Sequence, residues 1–105
     1  MAIANVALGS SESGAGLVVG AANGTAVVSM VLCNTDTVAR TITVYAKATY
    51  ATGAGVLNTI LSALSLDAGE TYVFNDKIML AQNNVITAKA SSASVVGMTI
   101  SYLDL

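Results

Sequence analysis

Short clusters of turn-forming residues interrupt this chain roughly every eight to twelve residues, and between them apolar and polar side chains mostly alternate. The clusters are "GSSESGAG" (9–16), "NG" (23–24), "NTDT" (34–37), "TGAG" (52–55), "DAG" (67–69), "ND" (75–76), "NN" (83–84) and "SSAS" (91–94). Intervals that short leave no room for ordinary helices, and a period of two is that of a strand with one face buried. The expected fold is therefore all-β, since this spacing suits a sandwich or a barrel, and the first expectation is an antiparallel β-sandwich, jelly-roll or immunoglobulin-like, of about seven to nine strands in a single domain.

Individual segments sharpen that expectation. In residues 41–50, Ile42, Val44, Ala46, Ala48 and Tyr50 share one face, while Thr41, Thr43, Tyr45, Lys47 and Thr49 form a face expected to be solvated. In the last segment Val96, Met98, Ile100 and Tyr102 alternate with Gly97, Thr99 and Ser101. Residues 25–33 are apolar on both faces, with Val28, Met30 and Leu32 opposing Val27, Val31 and Cys33, as suits a central strand or one covered by a partner. "LNTILSALSL" (57–66) carries both helical and strand spacing; it is short for a helix and its neighbours are strands, so a strand is expected. No proline guards a sheet edge anywhere in the chain. Edge protection must come from charge, bulges or partners, and this favours homo-oligomerisation or docking.

Composition removes most functional classes. There is no histidine, the commonest general base and metal ligand. Cys33 lies within an apolar run, where it reads as a small core residue rather than a nucleophile. Asp67 and Glu70 bracket a turn, and with five aromatic residues in the whole chain they do not suggest a sugar-cleaving groove. No loop holds a dense enough oxygen cluster for calcium, so neither a metal nor another cofactor is expected. Arg40, Lys47, Lys77 and Lys89 are too few and scattered to bind a phosphate backbone, which argues against nucleic acid. "GAGLVVG" (14–20) leads into a strand pattern rather than a helix, so it does not fit a dinucleotide-binding loop. Residues 13–35 carry no charge, as a membrane span would, but Asn23-Gly24 places a turn within them. Residues 1–12 lack a basic leader, so no secretory signal is expected, and Arg40 is expected to pair with Asp36 across the turn at 34–37, which is either a hairpin or an inter-sheet corner. Only 10% of residues are charged, and a surface so poor in charge suits a protein covered by others rather than one acting on a small-molecule substrate.

"VVSMVLCNTDTVARTITVY" (27–45), "LSLDAGETYVF" (64–74), "KIMLAQNNVITAKASS" (77–92) and "VGMTISYL" (96–103) together resemble small β-sandwich virion proteins of tailed phages. The resemblance covers roughly residues 25–105, and its motifs are also ordinary turn-and-strand grammar. It implies a capsid decoration (cement) protein that binds the major capsid protein on the outside of the shell. It implies synthesis in the bacterial host cytoplasm and residence on the virion surface; a tail or neck component, or a carbohydrate- or cell-surface-binding module of a tail fibre, are the alternatives. No functional residues carry over. Residues 1–12, set apart by a Ser/Gly break, are expected to form an extended arm ahead of a sandwich domain at 13–105. In that arm Ile3, Val6 and Leu8 are the candidate partner contacts, by strand addition.

Overall fold

The computed structural model describes residues 1–13 and 17–105, and among these residues all regular structure is β-strand. The strands are β1 (Ala2–Ala7), β2 (Val18–Val19), β3 (Thr25–Asn34), β4 (Arg40–Lys47), β5 (Thr59–Leu66), β6 (Thr71–Phe74), β7 (Ile78–Leu80), β8 (Val85–Ala90) and β9 (Val96–Asp104). They form two antiparallel sheets. The first has the order β1-β9-β3-β6, with β7 also paired to β3; the second has the order β2-β8-β4-β5. β6 and β7 pair with different halves of β3, so together they occupy one strand position.

Most connections leave one sheet and enter the other, with β4–β5 and β6–β7 the exceptions. Counting β6 and β7 as one broken strand, this is jelly-roll connectivity. It excludes the immunoglobulin-like alternative, in which the first two strands share a sheet. The stretch 31–45 is accordingly an inter-sheet corner, not a hairpin.

The core lies between the sheets. Val27, Met30, Leu32, Ile42, Val44, Ile86, Val96, Met98 and Ile100 are almost fully excluded from solvent. The alternation expected in the last segment is observed as far as Ile100, with Tyr102 half-buried. β3 is central as expected, between β9 on one side and β6 and β7 on the other. Its inward set differs at one residue. A register shift between Val27 and Ser29 inserts Val28 as an extra residue, so Val27 rather than Val28 joins Met30 and Leu32 in the core. The dual spacing of "LNTILSALSL" has a similar origin. β5 shifts register twice against β4, and Ala63 sits at φ 46°, so Leu61 and Leu64 both reach the core although three residues apart.

Each end of the sandwich is closed by paired corners. At one end Asn34, fully buried, gives its side-chain amide to Val38 O (2.9 Å), Leu66 O (3.0 Å) and Asp67 O (3.2 Å). Its Oδ1 accepts from Asp36 N at 3.0 Å. The backbone joins the same corners, with Asn34 N donating to Glu70 O and Gly69 N to Asn34 O. One side chain thus ties the β3–β4 corner to the β5–β6 corner. At the other end the β2–β3 and β7–β8 corners meet at Gly20, which donates to Asn84 O and accepts from Asn83 N. A Cβ on Gly20 would lie 1.9 Å from Ala81 O, so no other residue fits there without moving the backbone.

The detached arm expected at residues 1–12 is instead part of the sandwich. β1 pairs with β9 from Ala2↔Tyr102 to Ala7↔Gly97. Past Leu8 the chain changes sheets and runs beside β8, through Ala90 N→Gly9 O and Ser13 N→Ala88 O. The Ser/Gly break that suggested an independent arm marks this change of sheet. Residues 14–16, which hold part of the first turn cluster and of "GAGLVVG", lie outside the described residues.

Replacing Asn34 by Leu leaves the Leu66, Asp67 and Val38 carbonyls without their donor. The expected loss is about 2–4 kcal/mol, measured by urea denaturation followed by circular dichroism. Gly20→Ala should also lower the urea midpoint, because relief of the clash requires the two corners to separate.

Candidate functional site

Three side chains on the outer face of the second sheet form the most buried polar cluster. Lys47 is only 4% exposed despite its place on the face expected to be solvated. Tyr45 (8% exposed) and Thr87 (0%) on the same face are also buried. Residues 9–13 lie along β8 and carry Glu12 over Lys47 and Thr87. Glu12 Oε2 lies 2.6 Å from Lys47 Nζ and accepts a 2.5 Å hydrogen bond from Thr87 Oγ1. Lys47 also donates to Tyr50 O at 3.1 Å, with its ammonium 5.1 Å from the centre of the Tyr50 ring.

The hydrogen bond from Lys47, followed by that from Thr87, holds the Glu12 carboxyl below its ordinary range, against an opposing effect of burial. An ammonium removed from water, with a carboxylate and a carbonyl as partners, is a fastening rather than a proton carrier. The cluster clips the sheet-changing segment onto the second sheet.

The remaining candidates are no more reactive. Arg40 and Asp36 form the expected corner pair, with 2.7 and 2.8 Å contacts, and Asp36 is shifted downward by Arg40 and by the Thr37 amide. Both side chains are partly solvated, so the pair contributes little to stability. Cys33 is half-buried on the outward side of β3, opposite Gly97 and Thr71, rather than in the core. Asp67 and Glu70 serve their turn: Glu70 Oε1 accepts from Asp67 N at 2.8 Å. Among the described residues no three His, Cys, Asp or Glu side chains converge as a metal site would require. Nor is any helix among them long and apolar enough to cross a membrane.

The surface is more informative than the polar groups. The outer face of the first sheet is assembled from Ile3, Asn5 and Ala7 of β1, Gly97, Thr99 and Ser101 of β9, Ser29, Val31 and Cys33 of β3, and Thr71 and Val73 of β6. None of these residues is charged. A shallow depression of about 330 Å³ lies across it, bordered by Asn5, Ala7, Val31, Cys33 and Thr99 around Gly97. Its depth arises at Gly97, where an added Cβ would meet nothing within 4 Å. The outer face of the second sheet has a smaller hollow, about 180 Å³, among Ser10, Thr41, Thr43, Lys89 and Ser91.

A second apolar feature projects from the β4–β5 loop, where Val56 is 95% exposed and Leu57 is fully exposed. No residue from 48 to 66 is charged. By spacing Leu57 belongs to the periodic segment 57–66, whereas β5 begins only at Thr59.

The three residues expected to contact a partner separate in the structure. Leu8 is 1% exposed and belongs to the core; Val6 is half-buried against it; Ile3 is 61% exposed. Only Ile3 is available to another molecule. The even-numbered residues of β1 face the opposing sheet, and Leu8 is the pivot at which the chain changes sheets, with Leu8 N donating to Val96 O and Ser94 N to Leu8 O.

No family model, curated protein or solved structure matches this chain at a significant level.

Glu12→Gln tests the clip. A carboxyl held below its ordinary value stabilises the fold above about pH 4.5, and that contribution is lost as pH falls through the lowered value. Chemical denaturation across pH 3–7 should show Glu12→Gln less stable by about 1–3 kcal/mol at neutral pH. The gap to the unsubstituted protein should narrow at the acid end.

Proposed function

We propose that this protein is a structural component of a tailed-phage virion, bound to the outside of the capsid and stabilising contacts between major capsid subunits. Its motifs, over roughly residues 25–105, resemble those of small β-sandwich virion proteins. The observation that carries the reading is the exposed apolar tip, Val56 and Leu57 held almost wholly in water in an uncharged loop, together with a sheet face that has no charges. Apolar side chains presented in this way gain by being covered, and a shell repeats any such contact many times. With roughly 25 cal/mol gained per Å² of apolar area buried, small footprints repeated over a lattice add up, although each association subtracts its own cost.

The described residues offer a rigid sandwich, a projecting apolar tip and a sheet face without charges. They are suited to contact rather than to chemistry. The fold alone does not favour capsid over tail or neck, since sandwiches of this connectivity host unrelated functions.

Purified protein mixed with undecorated shells of the encoding phage should co-sediment with them and raise their melting temperature. A Val56→Ser/Leu57→Ser variant should bind at least tenfold more weakly while keeping its own melting temperature. Absence of co-sedimentation by the unsubstituted protein at micromolar concentration would overturn the reading.

A further inference from the structure

The two sheets present four edges, and three are unsuited to receiving another strand. β2 is two residues long. β5 is distorted by two register shifts and by Ala63 at positive φ. The β6–β7 edge is interrupted by residues 75–77, which include Asp76 and Lys77. Each is a recognised way of preventing edge-to-edge association. The fourth edge, β1, has none of them. Its six residues pair with β9 without a register shift, contain no proline or glycine, and belong to a stretch with no ionisable side chain before Glu12.

The hydrogen-bonding groups on that edge can be assigned. Leu8 N donates to Val96 O at 2.9 Å, and antiparallel ladders alternate, so the even-numbered residues of β1 bond to β9. The N–H and C=O groups of Ile3, Asn5 and Ala7 therefore point to the open side. This geometry calls for a β-strand as occupant, and β1 is complementary to itself. Two copies related by a two-fold axis normal to the sheet can place Asn5 opposite Asn5 and Ile3 opposite Ala7. All three outward-directed residues then meet as hydrogen-bonded pairs, inward residues stay on the inward side, and no charges oppose one another.

We infer that the protein is a symmetric dimer joined through antiparallel β1–β1 pairing about Asn5, which fuses the two first sheets into one continuous sheet. The sheet then runs β6/β7-β3-β9-β1 in one copy and in reverse order through the second. The two uncharged faces become one surface, and the single unguarded edge disappears. The inference needs no capsid and stands apart from the virion reading.

Sedimentation equilibrium of the full chain should give twice the single-chain mass. Asn5→Pro deletes an N–H directed at the partner rather than at β9, and Asn5→Lys sets two ammonium groups against each other across the axis. Both should sediment at the single-chain mass, with strand circular dichroism retained. If Asn5→Pro unfolds, Asn5→Lys decides. In a Cys33→Ser background, Asn5→Cys should oxidise to a covalent dimer, since directly opposed bonded residues lie about 5.5 Å apart at Cα, within disulfide reach. Ala4→Cys, which faces the core side, should not. A single-chain mass for the unsubstituted protein up to about 0.5 mM, or an Asn5→Lys protein that remains dimeric, overturns the proposal.

Discussion

A single buried carboxamide holds together the most demanding part of this architecture. A jelly roll repeatedly transfers the chain between sheets, and every transfer brings backbone carbonyls to the edge of an apolar core, where they need donors. Asn34 supplies them for two transfers at once. Its amide reaches Val38 O on its own corner and Leu66 O and Asp67 O on the next, while its oxygen accepts from Asp36 N. Asn has both donor and acceptor on a short side chain, which Asp, Leu or Ser cannot reproduce in that space. The two motifs "CNTDT" (33–37) and "LDAGET" (66–71), with 28 residues between them in the chain, are held together by this residue.

The opposite end solves the same problem differently. There the corners approach so closely that Gly20 touches Ala81, and Asn84 ties both together while also donating to Ala48 O. The first end depends on a side chain that fills space, the second on one that is missing.

Much of the fold was legible because strands with one buried face impose a period of two and turns demand Asn, Asp and Gly. That logic placed Ile42, Val44, Met98 and Ile100 in the core and located the turns. It failed where an extra residue entered a strand. Nothing local distinguishes Val28 from Val27, so the β3 bulge reversed one inward assignment, and the β5 bulges produced spacing that imitates a helix. It failed again at Lys47, which meets Glu12 arriving from a distant part of the chain, and at Tyr45 on the same face. The same long-range pairing turned the expected arm into a strand, leaving Ile3 alone of Ile3, Val6 and Leu8 exposed. The apolar tip at Val56 and Leu57 has no signature of its own in the sequence, because Leu57 merges with the periodic segment 57–66 although β5 begins only at Thr59.

The position of β9 sets the order in which this structure can be completed. It lies between β1 and β3, contacting both along most of its length. Until it docks, β1 has no neighbour and the first sheet exists only as β3 with β6 and β7. The earliest strand of the chain must therefore wait for the last one, and Leu8 cannot settle before Val96 is in place. Contacts so distant in sequence slow folding, and sandwiches dominated by them fold in milliseconds to seconds. During synthesis β1 stays without its partner strand until β9 has been made.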